Sequence, residues 1–157
     1  MLRILTLCHG NICRSPLAEV LIEAALHADP ILSGRVAVSS AGTSSEHAGE
    51  GMHVNSAAIM SARGLRTTHR ARQFTPAMAR TLDLVLAADQ ANLRNGRDII
   101  RMAERQPEIR LIRDFDPTAV GRDLDDPWGY PSAEYERTAA EITAAIPGLL
   151  AELRDRI

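Results

Sequence analysis

The chain opens on a short run of alternating apolar residues, Leu2 to Leu7, which predicts a strand. Leu17, Val20, Leu21, Ala24, Ala25 and Ala28 then recur at helical spacing until Asp29-Pro30 stops the run. Ser15-Pro16 reads as the start of that helix, because Ser suits the N-cap and Pro the first helical position. The opening is therefore strand, tight loop, helix. Val36 to Ser39 predicts a second strand, followed by loop at Ala41-Gly42-Thr43-Ser44-Ser45. Asn55 to Arg63 predicts a helix that Gly64 terminates. Leu82 to Ala87 reads as a buried third strand, Gln90 to Glu104 predicts a helix, and Ile109 to Ile112 a fourth strand. Residues 113 to 131 are rich in Asp, Pro and Gly and carry no period. They predict a long loop, and loops of that length are often functional. Ser132 to Ile157 predicts a final helix, with Pro147 expected to kink or break it near Ile146.

Strands that alternate with helices imply one α/β domain over residues 1–157, with a central four-stranded parallel sheet and helices on both faces. Such sheets bind ligands at the carboxyl ends of their strands. Cys8 stands at that end of the first strand.

Composition narrows the chemistry. The 157 residues are 45% hydrophobic and 24% charged, which suits a globular chain with a core of its own. The net charge of -2 argues against a nucleic-acid partner, which would call for a basic face. All 18 basic residues are Arg. The bias reads as compositional, yet it closes every mechanism that needs a Lys amine. The apolar run at the N-terminus is too short for a membrane span, and no small-residue cleavage site follows it. Two cysteines without a signal peptide point to a reducing cytoplasm. A zinc site is not expected, because Cys8 and Cys13 have no matching second pair and the five His show no ligand spacing. No cofactor is implied.

The candidate chemistry is concentrated in Cys8-His9-Gly10-Asn11-Ile12-Cys13-Arg14-Ser15. A Cys and an Arg with five residues between them bracket a loop that sits on a helix N-terminus. Its backbone N–H groups can turn inward as an anion nest, with the helix dipole adding positive character. Gly10 and Asn11 tolerate the left-handed backbone angles such a loop requires. Arg14 offers a planar fork for two phosphate oxygens. The same field favours Cys8 as a thiolate, and Ser15 can donate to its sulfur. A lone Cys at a strand end would read as a buried structural thiol. Strand, Cys, Gly-Asn, Arg, Ser-Pro and helix together point instead to phosphoryl transfer through a cysteinyl-phosphate.

The string CHGNICRSP resembles the signature loop of the low-molecular-weight protein tyrosine phosphatase family, and its place near the N-terminus fits. The resemblance extends over nearly the whole chain. It includes Ser40-Ala41-Gly42-Thr43, His69-Arg70-Ala71-Arg72-Gln73, and Leu86-Ala87-Ala88-Asp89 followed by Asn92-Leu93. It also includes Asp126-Pro127-Trp128-Gly129. It implies Cys8 as nucleophile, Arg14 as phosphate clamp and Asp126 as general acid and base, with no metal. A phenolate leaves poorly unless it is protonated as it departs. Spacing does not choose among Asp114, Asp116, Asp123, Asp125 and Asp126, and two of these precede proline. The resemblance selects Asp126, because Trp128-Gly129 follows it; the other four read as turn residues. Asn11, Ser15, Ser40 and His69, with Glu19 paired to His69, are implied as a network bracing the loop, and Asp89 as a further support. Cys13 is implied as a thiol that traps oxidised Cys8 as a disulfide. The partner implied is a phosphotyrosine protein, for example an autophosphorylating tyrosine kinase, with inorganic phosphate as product.

Two departures concern the substrate cleft, whose expected residues are Ile12, Glu46, Trp128 and Tyr130. Glu46 stands where many members of the family carry Trp, and Gly129 where many carry a second aromatic. Three other readings compete. A protein-arginine phosphatase on the same scaffold usually has Thr where this chain has Ile12. An arsenate reductase needs cysteines downstream of Cys13, and there are none. A non-catalytic phosphate-binding module would be expected to lose Cys8, Arg14 or Asp126.

Overall fold

A computed structural model covers residues 1–157. Its elements in chain order are β1 (Leu2–Cys8), α1 (Arg14–Ala28), β2 (Val36–Gly42), α2 (Val54–Ala62) and α3 (Pro76–Ala79). They continue as β3 (Leu84–Ala87), α4 (Gln90–Arg101), β4 (Glu108–Leu111), a 3-10 turn (Ile112–Phe115) and α5 (Ser132–Asp155). The four strands form one parallel sheet in the order β2-β1-β3-β4. The expected α/β architecture is the one found.

Both faces of the sheet are covered, so β1 is apolar on both of its sides. Ile4 and Cys8 face a large core shared with α1, α2 and α5, to which Leu17, Leu21, Met60, Tyr135, Ile142 and Leu149 contribute. Leu5 and Leu7 face a smaller core with Phe74, Ala79, Leu82 and Ile100. On that side Gly96 of α4 lets the helix sit directly on the sheet, because a Cβ there would fall 2.7 Å from Ile109 and 2.8 Å from Leu7.

Several boundaries differ from expectation, each for a local reason. β2 continues through Ala41 and Gly42, which were expected in a loop, because they pair with Leu7 and Cys8 of β1. β3 begins only at Leu84, where pairing with Ile4 begins; just before it, the Asp83 carboxylate accepts the Arg3 N–H. Ser15 does not cap α1. The helix starts at Arg14 with Cys13 in the capping position and no side-chain cap, because the Ser15 hydroxyl is engaged elsewhere. α5 runs unbroken through Pro147. Proline removes one backbone bond, and the adjacent Gly148 packs against the Phe115 carbonyl so closely that a Cβ would lie 2.0 Å from that oxygen. Packing against the 3-10 turn thus holds the helix where propensity alone would interrupt it. α3 and the 3-10 turn have no counterpart in the hydrophobic pattern, since both are single turns.

The topology brings three strand ends together. β1 ends at Cys8, β2 at Gly42 and β3 at Ala87, and the long loop returns to them through a bond from Leu124 N–H to the Ala88 carbonyl of 2.8 Å.

Candidate active site

The loop between β1 and α1 is held from outside by its carbonyls. Cys8 O accepts from Thr43 N at 2.8 Å, His9 O from Ser44 N at 3.0 Å, and Ile12 O from His53 N at 2.8 Å. Asn11 O accepts from His69 Nε2 at 2.6 Å and Cys13 O from Ser56 Oγ at 3.1 Å. The amides behave in the opposite way: the N–H groups of His9 to Cys13 donate to no acceptor in the protein. With the carbonyls tied outward, the amides converge on one concavity at the α1 N-terminus, the arrangement that binds anions. Asn11 makes this possible with φ of 57°, in the left-handed region.

The side chain of Asn11 is fully buried and fully used. Its Oδ1 accepts from Arg72 N at 2.9 Å, which fixes the amide orientation. Its Nδ2 then donates to Ser15 Oγ at 2.8 Å and to Ser40 Oγ at 3.0 Å. Ser15, already accepting, has its hydroxyl hydrogen free for Cys8 Sγ at 3.0 Å. Ser40 passes its own hydrogen to Glu19 Oε2. The expected pairing of Glu19 with His69 is not the one formed. Glu19 binds Ser40 and Arg66 (2.9 Å), while His69 reaches past it to the loop carbonyl of Asn11.

Arg14 is 2% exposed, and its guanidinium ties three segments together. Nη1 donates to Asp89 Oδ2 at 2.7 Å and to Leu124 O at 2.8 Å, and Nη2 lies 3.7 Å from Asp126 Oδ2. Burial opposes the charge on Arg14, but Cys8, Asp89 and Asp126 more than offset it and its pKa is raised. Asp89 also caps α4 by accepting from Asn92 N at 2.8 Å. Asp126 is half-exposed, and Trp128 N donates to its Oδ1 at 3.2 Å. Of the other loop aspartates, Asp114 and Asp116 serve as turn acceptors for Gly121 N and Thr118 N, Asp123 accepts from Gln90 N at the start of α4, and Asp125 lies 3.8 Å from Arg137 Nη2.

Cys8, His9, Gly10, Ile12, Cys13 and Arg14 line one cavity of about 150 Å³, together with Glu46, His47, Asp126 and Trp128. Tyr130, expected in this cleft, lines a neighbouring groove with Pro131 and Glu134 instead. Between Trp128 and Tyr130 the chain makes a tight turn closed by Tyr130 N donating to Pro127 O at 2.9 Å.

The sequence pattern did not point to His53, Ser56 and Tyr135, which brace the Cys13 end of the loop, nor to His47, which lines the cavity. His53 Nδ1 accepts from Asn55 N at 3.1 Å, so the neutral ring carries its hydrogen on Nε2. That nitrogen faces Tyr135 Oη at 3.3 Å, which leaves the Tyr hydroxyl to donate to Cys13 Sγ at 3.6 Å. Tyr135 is fully buried and stacks on His53 with centroids 4.9 Å apart. Burial pushes the Cys13 thiol up to about 11, and the Tyr135 hydroxyl acts against that rise. A Tyr on a helix that also carries Ala139 and Ile142 into the core gives no sign in sequence of a polar role. Only the apposition of α2, α5 and the loop makes one.

Comparison with known proteins bears on this site. The family model described as low molecular weight phosphotyrosine protein phosphatase matches residues 3–157. A low molecular weight protein-tyrosine-phosphatase of Streptomyces coelicolor is 37% identical over 157 residues, spanning 99% of this chain and 95% of the relative. Low molecular weight protein-tyrosine phosphatase A of Mycobacterium tuberculosis is 36% identical over 151 residues, 94% of this chain and 89% of that protein. The crystal structure of a protein tyrosine phosphatase from Entamoeba histolytica superposes with a TM-score of 0.89 at 25% identity, covering 99% of this chain and 98% of that one.

Proposed function

The chain belongs to the low molecular weight phosphotyrosine protein phosphatase family, and we propose that its hydrolysis of phosphotyrosine monoesters runs through Cys8, Arg14 and Asp126. The observation that carries this assignment is the ring of free amides from His9 to Cys13, with Cys8 and Arg14 at its two ends and Asp126 on the same cavity.

In the first step Cys8 Sγ attacks phosphorus as the bond from phosphorus to the tyrosyl oxygen breaks. The loop amides and Arg14 hold the equatorial oxygens; donors placed for the transition state contribute about 10²–10³ each in rate. Asp126 gives its proton to the leaving phenolic oxygen, a contribution of about 10²–10⁴. In the second step the Asp126 carboxylate takes a proton from water, the water oxygen attacks phosphorus, and the bond from phosphorus to sulfur breaks. Inorganic phosphate leaves and the Cys8 thiolate returns. Ser15 supports that thiolate with its hydroxyl, while Asn11, Ser40, His69 and Asp89 hold the frame. Ile12 and Trp128 would flank the phenyl ring.

Cys13 serves as the resolving thiol. A peroxide converts Cys8 to a sulfenic acid, the Cys13 sulfur displaces water from it to form a disulfide, and a small thiol reduces the disulfide. Such chemistry suits the cytoplasm, where thiols are kept reduced. No helix is long and apolar enough to cross a membrane. The partner is a phosphotyrosine protein, and a tyrosine kinase that carries the modification on itself is the partner we favour.

The test is hydrolysis of phosphotyrosine, phosphoserine and phosphoarginine peptides by wild type, Cys8→Ser and Asp126→Ala. Wild type is expected to act on phosphotyrosine, Cys8→Ser to be inactive, and Asp126→Ala to lose kcat most for the poorest leaving groups. Full activity in Cys8→Ser would sink the mechanism. A preference for phosphoarginine would move the substrate class.

A further inference from the structure

The walls of the cavity differ in chemistry. Trp128 on one side is 58% exposed and offers an aromatic face. Glu46 on the other offers a carboxylate whose side chain is 65% exposed. Arg14 is the only Arg that lines the cavity, and it is engaged at the floor with Asp89 and Leu124. No Arg at the rim therefore answers Glu46. Its one charged-type neighbour is the loop residue His9, whose Nε2 lies 3.3 Å from Glu46 Oε2.

Glu46 is also held in register with the phosphate site. Thr43 N and Ser44 N bond to the loop carbonyls of Cys8 and His9 on one side of it. On the other side, Gly49 N bonds to Ala71 O and Ala71 N to Glu50 O, both at 2.8 Å. The neighbouring His47 packs on Gly10, where a Cβ would fall 2.9 Å from its ring, and its Nδ1 pairs with Glu50 at 2.7 Å. A bound phosphotyrosine sends its phosphate to the floor and its ring between the walls. The residues on either side of it in the peptide then pass along the rim, where Glu46 stands at a fixed place.

We propose that Glu46 is a specificity-determining residue that gives this phosphatase a preference for phosphotyrosines flanked by Arg or Lys. The inference rests on the phosphotyrosine reading of the site. Its test uses three peptides alike except for Arg, Ala or Glu on both sides of the phosphotyrosine. Each enzyme is referred to its own Ala peptide, so a general change in activity cancels. In wild type the Arg peptide should exceed the Ala peptide by about threefold in kcat/KM and the Glu peptide should fall below it by a similar factor, as expected for one partly exposed pair. In Glu46→Gln, which keeps the shape and removes the charge, the three values should converge. In Glu46→Arg the order should invert. The wild-type preference should shrink at about 1 M salt, where the screening length falls to about 3 Å. Equal turnover of the three peptides by wild type, or the wild-type order kept in Glu46→Gln, would overturn this inference and leave the phosphatase reading standing. Absence of Cys8-dependent hydrolysis of all three would overturn that reading and this inference with it.

Discussion

Asp89 offers the most informative single perturbation, because two of its contacts can be separated by choice of substitution. Its Oδ2 accepts from Arg14 Nη1 at 2.7 Å and its Oδ1 caps α4 through Asn92 N at 2.8 Å. Replacing Asp89 with Ala removes a cap worth about 1 kcal/mol and a hydrogen bond to a charged group worth about 1.5–3 kcal/mol. The sum, about 2.5–4 kcal/mol, converts to a fall in Tm of about 5–16 °C for a chain of this size. Asp89→Asn has one acceptor oxygen where Asp89 uses two, so it can keep the cap through Asn92 N but then turns its NH2 group toward Arg14 Nη1. The cap is retained and the bond to Arg14 is lost, for about 1.5–3 kcal/mol, or a fall in Tm of about 3–12 °C. Activity depends on Arg14 and should fall to a similar degree in both variants. Arg14 retains Leu124 O in each, so the fork is loosened rather than lost, and kcat should fall about tenfold to hundredfold. Thermal unfolding and phosphotyrosine kinetics on both variants check this. A Tm in Asp89→Asn as low as in Asp89→Ala, or wild-type kcat in either variant, would refute the reasoning.

Three further outcomes follow from particular contacts. Tyr135→Phe removes the hydroxyl that opposes the rise of the Cys13 thiol, so disulfide formation after peroxide treatment should slow and irreversible loss of activity increase; mass spectrometry of Cys8 and Cys13 reads both, and unchanged disulfide yield would exclude the role. Gly42→Ala places a Cβ 2.6 Å from His9 O and 3.1 Å from Asn11 N, so the phosphate loop must shift, costing about 1–3 kcal/mol in stability and lowering kcat/KM; neutral kinetics would show that the loop yields without consequence. Arg154, with help from Leu32 and Ile31 amides, holds the Asp29 carboxyl below its ordinary range. A group with a depressed folded pKa stabilises the fold above its unfolded pKa and loses that contribution as pH falls through the folded value. Asp29→Asn should therefore lower Tm at neutral pH, with the gap closing in acid, and a gap that stays constant as the pH is lowered would contradict the assignment.

The residues that carry the chemistry could be read from the chain because most are local to one another. Cys8 to Ser15 occupy a single turn between a strand and a helix, so their spacing already encodes a nest and a clamp. Order along the chain, with strands followed by helices, also determined the α/β class, since parallel strands need crossovers and the crossovers cover both faces. Resemblance chose Asp126 among five loop aspartates, a choice that spacing left open.

What tertiary structure decided were the partners that lie far apart in sequence. Arg14 meets Asp89 75 residues on and Leu124 110 residues on, Glu19 turns to Ser40 and Arg66 rather than His69, and Tyr135 reaches Cys13 across 122 residues. No local pattern records such pairs, because each depends on where several helices settle on the sheet. The same holds for Pro147, whose local tendency to break a helix is overruled by the packing of Gly148 on Phe115. Propensity and periodicity act over a few residues, whereas the orientation of a buried polar group is set by whichever distant donor or acceptor packing brings within about 3 Å.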